Sequence, residues 1–188
     1  MDYKNIISKH KGGICYLTIN RPKQLNSLNR ETISELHKAI TIAENDKLIR
    51  CLILTGAEKK AFVAGADVKE VSSFSPESGE DLARKGQTLL FDLLENIGTP
   101  SIAAINGFAL GGGLELAMAC HIRIASDNAQ MGLPEVSLGV IPGYGGTQRL
   151  AGLVGRGKAI EMIITGAMIS ANEAKSWGLV NHTCDQET

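Results

Sequence analysis

Ser101-Ile-Ala-Ala-Ile-Asn106 runs directly into Gly107-Phe-Ala-Leu-Gly-Gly-Gly113 and then into Leu114-Glu-Leu-Ala-Met-Ala119. The first block is short, apolar and β-branched, so it reads as a buried strand. The second is rich in glycine and reads as a turn, the third as a helix, and His121 to Ser126 returns to strand character. A helix between two strands is how parallel neighbours are joined, so this stretch predicts an α/β domain.

The same alternation extends outward. Tyr3 to His10 and Ile14 to Asn20 flank the turn signal Lys11-Gly12-Gly13, and Cys15, Leu17 and Ile19 alternate with Tyr16, Thr18 and Asn20, the period of a strand. Arg21 to Asn29 is a predicted loop. Ile33, Leu36, His37, Ile40 and Ala43 recur at helical spacing, with His37 as a half-buried packing residue. A strand is expected at Ile49 to Thr55, a loop at Ala57 to Asp67 and a short helical piece at Val68 to Ser72. Ser75 followed by Pro76 opens a helix towards Asn96. Downstream, Gly145 to Ala151 and Lys158 to Thr165 read as helices. Ser170-Ala-Asn-Glu173 is a capping box, and Leu179 to His182 is the last predicted strand. No linker or low-complexity tract divides the chain, so residues 1–188 read as one domain.

Composition narrows the function. The 188 residues carry 19 Lys+Arg against 20 Asp+Glu, a formal net charge of −1. A nucleic-acid binder needs a basic face to displace counterions, and none is expected here. Aromatics at 4% are too few for base stacking. Cys15, Cys51, Cys120 and Cys184 lie too far apart for a zinc site or a disulfide framework, and read as small hydrophobes in a reducing compartment. Asn96 to Leu114 is uncharged, but Pro100, Asn106 and its glycines argue against a membrane span. A cytoplasmic protein is expected. Twelve of the 21 glycines fall between Gly107 and Gly157, which locates the region where backbone must approach something closely.

Several motifs fail there. Gly152-Leu-Val-Gly-Arg-Gly157-Lys158 is followed by Ala159, so the magnesium-binding hydroxyl of a phosphate loop is absent. Gly111-Gly-Gly-Leu-Glu-Leu116 places Leu116 where a dinucleotide fingerprint needs glycine. Glu135-Val-Ser-Leu-Gly139 is not a hydrolase elbow. The four histidines have no metal-ligand spacing, and no metal is expected.

What survives is an anion-binding pattern. Three glycines at a helix start expose N–H groups, and Ala64-Gly-Ala-Asp67 is a second small-residue loop between a strand and a helix start. Two N–H groups converging on one oxygen make an oxyanion hole. Glu115, in the first helical turn, and Glu135, after Pro134, are two carboxyls that can divide acid and base roles. The bland readings stay open: Glu115 could complement the helix dipole, Glu135 could be a solvated loop charge, and the glycines could serve packing.

Five segments together resemble the crotonase, or enoyl-CoA hydratase/isomerase, superfamily. They are Asn20-Arg-Pro-Lys-Gln-Leu-Asn26, Ala61-Phe-Val-Ala-Gly-Ala-Asp-Val-Lys-Glu70, Ala104-Ile-Asn-Gly-Phe-Ala-Leu-Gly-Gly-Gly-Leu-Glu-Leu-Ala-Met118, Pro134-Glu-Val-Ser-Leu-Gly139 and Ile141-Pro-Gly-Tyr-Gly-Gly-Thr-Gln-Arg-Leu150. The resemblance implies an α/β spiral of repeated β-β-α units and an acyl-CoA substrate. It implies oxyanion N–H groups at Ala66 and Gly112, and Glu115 and Glu135 as the catalytic pair adding water to a 2-enoyl-CoA. No metal or redox cofactor is implied, since coenzyme A is part of the substrate. Lys23, Ala64, Gly65, Asp67, Gly111, Pro142 and Gly143 are the implied substrate-binding positions. Lys23 would meet a CoA phosphate, and Asp67 could also cap the next helix. Gln148 and Arg149 read as structural. Family members continue past Leu179 to His182 with helices that close the acyl pocket and build a homotrimer or dimer of trimers. That segment is expected to be missing from the 188 residues. The alternatives are an enoyl-CoA isomerase or another acyl-CoA enzyme of the family, and a shortened non-catalytic CoA-binding or interaction protein.

Overall fold

The computed structural model describes residues 2–67, 70 and 76–187. Strands β1 (Ile6–Lys11) and β2 (Ile14–Ile19) form an antiparallel hairpin with Lys11 opposite Ile14. Between them Gly12 and Gly13 both take positive φ, 60° and 79°, which a two-residue hairpin turn requires and glycine reaches without strain. Cys15, Leu17 and Ile19 are buried and alternate with half-buried Tyr16 and Thr18, as the period predicts.

The strands that follow are β3 (Cys51–Gly56), β4 (Ala61–Ala64), β5 (Ser101–Ile105), β6 (Phe108–Leu110), β7 (Ile122–Ser126), β8 (Gln130–Gly132), β9 (Ile169–Ser170) and β10 (His182–Cys184). They build two sheets, one ordered β1-β2-β3-β5-β7-β10 and one ordered β4-β6-β8-β9. Beyond the first hairpin the large sheet is parallel throughout, and the small one is parallel except for β8 with β9. Each of β3, β5 and β7 is followed by a strand of the small sheet, so the chain winds as a β-β-α spiral.

Two buried or half-buried asparagines staple the crossings between sheets. Asn26 donates to the carbonyls of Ala57 (2.9 Å) and Ala61 (2.8 Å) and accepts from the Arg21 N–H. Asn106 accepts from the Gly56 N–H and donates to the Gly56 carbonyl at 2.8 Å. Carbonyls at such corners would otherwise lack partners.

Helix α1 (Arg30–Asn45) is capped by Asn29, whose side chain accepts from the Thr32 N–H, and it buries Ile33, Leu36, Ala39, Ile40 and Ala43. His37 is half-buried and reaches the Leu89 carbonyl through Nδ1. Helix α2 (Pro76–Gly86), a π-turn (Gln87–Phe91) and α3 (Asp92–Asn96) form one continuous helical stretch. Then come α4 (Gly112–Ala119), α5 (Gly146–Val154), α6 (Arg156–Thr165) and α7 (Ala171–Ser176). The predicted capping box at Ser170 and Glu173 is formed. The Ser75 cap and the helical piece at Val68 to Ser72 lie outside the described residues, apart from Glu70.

The small sheet is the main departure from the sequence reading. Ala57 to Asp67 and Gly107 to Gly113 are expected as a loop and a turn, yet each contains a strand, and β8 and β9 are not anticipated either. Strands of two to four residues are too short to display an alternating period. The last strand also shifts, from Leu179–His182 to His182–Cys184. Leu179 and Val180 are buried, but their N–H groups bond back to the Ala174 carbonyl at the end of α7. Of the four thiols, read as small buried hydrophobes, Cys15 and Cys120 are buried as expected, whereas Cys51 is half-buried and Cys184 is exposed. Among the described residues no helix is long and apolar enough to cross a membrane.

Candidate active site

The ends of β4, β6 and β8 lie side by side, and the loops leaving them form the site. At the end of β6, Gly111 adopts φ 51°, ψ −125°, a conformation glycine reaches and other residues avoid. Its N–H bonds to the Gly132 carbonyl of β8 at 2.9 Å. Gly112 then opens α4. Gly113 faces β4 so closely that a Cβ there would run into the Val63 carbonyl. Glycine is therefore what lets this helix begin against the sheet.

The loop leaving β4 is held from the opposite side. Ala66 bridges Leu28 in parallel fashion: the Leu28 N–H donates to the Gly65 carbonyl and the Asp67 N–H to the Leu28 carbonyl. That pattern turns the N–H of Ala66 itself away from Leu28. On its other side lies Gly112, whose Cβ position is 3.9 Å from the Ala66 nitrogen. Residues 46 positions apart thus bring two loop backbones together. Ala64 is paired with Leu110, and a Cβ on Gly65 would stand 3.5 Å from the Leu110 carbonyl. Asp67 forms an ion pair with Arg21 at 2.7 Å.

Glu115 projects from the first turn of α4 and is 1% exposed. Its Oε1 accepts from the N–H groups of Tyr144 and Gly146, each at 2.8 Å. Burial pushes its carboxyl from 4.5 up to about 7, against the opposing pull of those two N–H groups and of Arg149, while the Glu135 charge adds to the rise. A carboxyl near 7 is half ionised at neutral pH, suited to proton transfer. Gly146 leaves room for it, since a Cβ there would lie 2.8 Å from Oε1.

Glu135 sits in the short 3-10 turn Pro134–Leu138 that follows β8. Its Oε1 lies 3.0 Å from where a Gly111 Cβ would be, and its Oε2 is buried without a hydrogen-bond partner. Burial raises its pKa as well. A buried, bare carboxyl oxygen favours the protonated form. Glu135 thus lies against Gly111, and Glu115 sits in the helical turn that follows it, the two close enough for the charge of one to act on the other.

The remaining predicted positions divide. Pro142 is buried, with its Cβ 3.1 Å from the Cβ position of Gly146 beside Glu115. Gly143 is exposed and faces Ala83 at 3.8 Å. Lys23 lies apart from the glutamates, in an open cleft of about 500 Å³ that also includes Lys4, Asn5, Arg21 and Glu31. That cleft borders the Ala64–Asp67 loop through the Arg21–Asp67 pair.

Sequence reasoning missed Tyr144 and Gly146, because a backbone N–H has no residue type to betray it. The run Gly143-Tyr-Gly-Gly146 ahead of a helix was the available signal. Tyr144 is further fixed by stacking on Phe91, with centroids 4.4 Å apart and planes at 7°.

Comparison with known proteins agrees with this architecture. The family model for enoyl-CoA hydratase/isomerase matches residues 9–188. A short-chain-enoyl-CoA hydratase of Clostridium acetobutylicum is 50% identical over 181 residues, covering 96% of this chain and 69% of that protein. The crotonyl-CoA hydratase of Syntrophomonas wolfei is 46% identical, covering 100% of this chain and 72% of that one. The crystal structure of enoyl-CoA hydratase from Bacillus anthracis superposes with a TM-score of 0.91 at 42% identity, over 98% of this chain and 71% of the other. The fold is the parallel β-β-α spiral of these hydratases, and the chain belongs to the enoyl-CoA hydratase/isomerase family. It spans about 70% of the length of these relatives.

Proposed function

We propose that this chain is an enoyl-CoA hydratase, adding water across the C2=C3 bond of a 2-enoyl-CoA to give a 3-hydroxyacyl-CoA. The observation that carries the reading is that Glu115 and Glu135, close enough for the charge of one to act on the other, both lie beside the turn that brings Ala66 and Gly112 together. The N–H groups of Ala66 and Gly112 would hold the thioester carbonyl and stabilise the enolate oxygen as it forms, a contribution of about 3 kcal/mol per donor.

Glu115 is the proton acceptor in this scheme. Two N–H donors and Arg149 favour its carboxylate, which takes a proton from water as the water oxygen bonds to C3. Glu135, whose bare Oε2 favours the acid, delivers its proton to C2. The net change is one water added, and exchange with solvent resets both carboxyls. No metal or redox cofactor has a step, and coenzyme A enters as part of the substrate.

The wider assignment follows the same reading. We place the chain in cytoplasmic acyl-CoA metabolism such as fatty-acid oxidation, in keeping with its free thiols. We also expect a homo-oligomer: Val136, Leu138, Val140 and Ile141 are exposed in succession, and Ile160, Ile164 and Met168 are exposed too, an apolar surface that self-association would cover.

Hydration of crotonyl-CoA removes a conjugated chromophore and is read directly by absorbance. Turnover is expected, with Glu115→Gln and Glu135→Gln each lowering kcat by about a hundredfold or more while circular dichroism stays native. Lys23→Gln should raise KM and leave kcat alone if the cleft receives a CoA phosphate. Isomerisation of a 3-enoyl-CoA without hydration, or CoA binding without turnover, would overturn the assignment. Wild-type rates in either glutamate variant would remove that residue's role.

A further inference from the structure

The two N–H groups that hold Glu115 belong to peptides on either side of the Tyr144–Gly145 peptide. This turn is built largely of glycine, and Gly145 sits at φ 79°, ψ 7°. The Tyr144 ring is held by its stacking on Phe91, but the Tyr144–Gly145 peptide between the two donors is held by Arg149. From the first turn of α5 its Nη1 donates to the Tyr144 carbonyl at 2.6 Å, gripping the middle peptide. Its Nη2 donates to Glu95 at 2.6 Å, with Asp92 at 3.6 Å, so the far end of the guanidinium is braced by α3.

The Arg149 side chain is only 7% exposed, and its Nε is buried without a partner. Leaving a buried donor unpaired is destabilising, a cost that an apolar filler would avoid. Gly145 also makes way for it, because a Cβ there would collide with Nη1.

We infer that Arg149 is a positioning residue for Glu115: braced by Glu95 and Asp92, it clamps the Tyr144–Gly145 peptide and so aims both N–H donors at the carboxylate. The inference rests on Glu115 as proton acceptor. Its cation also acts directly, lowering the affinity of Glu115 for a proton where burial and Glu135 raise it. The ionisable groups facing Glu115 are Glu135 from the 3-10 turn, Tyr144 from the glycine turn and Arg149 from α5, with Asp92 and Glu95 behind Arg149. The segments β4, β6 and Gln87–Phe91, which also pack on α4, contribute no ionisable side chain.

Loss of the clamp and loss of the cation both favour protonation. The test titrates Glu115 by NMR in protein carrying carboxyl-labelled glutamate, with the signal assigned by its absence from Glu115→Gln. Arg149→Gln should move the midpoint up by about half a pH unit or more, a change of about threefold in proton affinity. With crotonyl-CoA it should lower kcat about tenfold or more, with KM held within about twofold. Arg149→Lys keeps the charge but not the planar fork and should fall between. Unchanged midpoints, or a loss of kcat that merely tracks thermal stability, would overturn the inference. Should Arg149→Gln not fold, Arg149→Lys and Glu95→Gln carry the test, and a midpoint unmoved in both overturns it. A wild type that fails to hydrate crotonyl-CoA defeats the proposed function separately, because the carboxyl titration needs no substrate.

Discussion

Glu115 joins function to stability most directly. Its carboxyl titrates near 7 in the folded chain against an ordinary 4.5, so the folded state holds a proton more tightly than the unfolded one. The sign follows from linkage: this group's contribution is fully present below about pH 4.5 and is lost as pH rises to about 7, a change of about 3 kcal/mol. Glu115→Gln cannot ionise and should escape the loss. Urea unfolding is expected to show the variant close to wild type at pH 5 and more stable, by up to about 3 kcal/mol, at pH 8. Equal differences at the two pH values would mean that the carboxyl is not held as buried as it is here. Residue identity made Glu115 and Glu135 visible in the sequence as candidates. That they meet at one site is an expectation that spacing alone leaves open, because 20 residues and two strands separate them.

Among the secondary-structure elements, the contact of α4 with β4 has the least tolerance. Gly113→Ala would drive a methyl group into the Val63 carbonyl, and neither backbone can yield without moving its element. Such overpacking costs about 1–3 kcal/mol, and the shift would carry Gly112 away from Ala66. Denaturation and the crotonyl-CoA assay should therefore fall together. Gly152→Ala, on α5 with open space around it, is the matched control and should be neutral or slightly stabilising. A Gly113→Ala protein indistinguishable from this control would refute the close approach. The long elements were legible in advance. Helix α1 and strand β2 show their periods over six residues or more, whereas β4, β6, β8 and β9 have too few residues to show one. Their strand character comes from neighbours supplied by other turns of the spiral.

Across the whole molecule, the exposed run Val136 to Ile141 continues directly from Glu135. Assembly through this surface would fix the segment that carries a proposed catalytic group. Sedimentation equilibrium should find a homo-oligomer, and Val140→Lys with Ile141→Lys should weaken it by placing like charges in an apolar contact. A strictly monomeric wild type would remove the proposal.

The amino-acid sequence by itself determined the class of fold, the turn glycines, the helix caps and the identities of the two acids. These rest on local properties: hydrophobic period, φ preference and hydrogen bonding within a few residues. Only the tertiary structure decided that a second sheet exists, that Ala66 meets Gly112, and that Arg149 braces the turn holding Glu115. Each of those depends on backbone groups or charges brought close by chain winding, and proximity between distant segments leaves no local trace in composition or spacing.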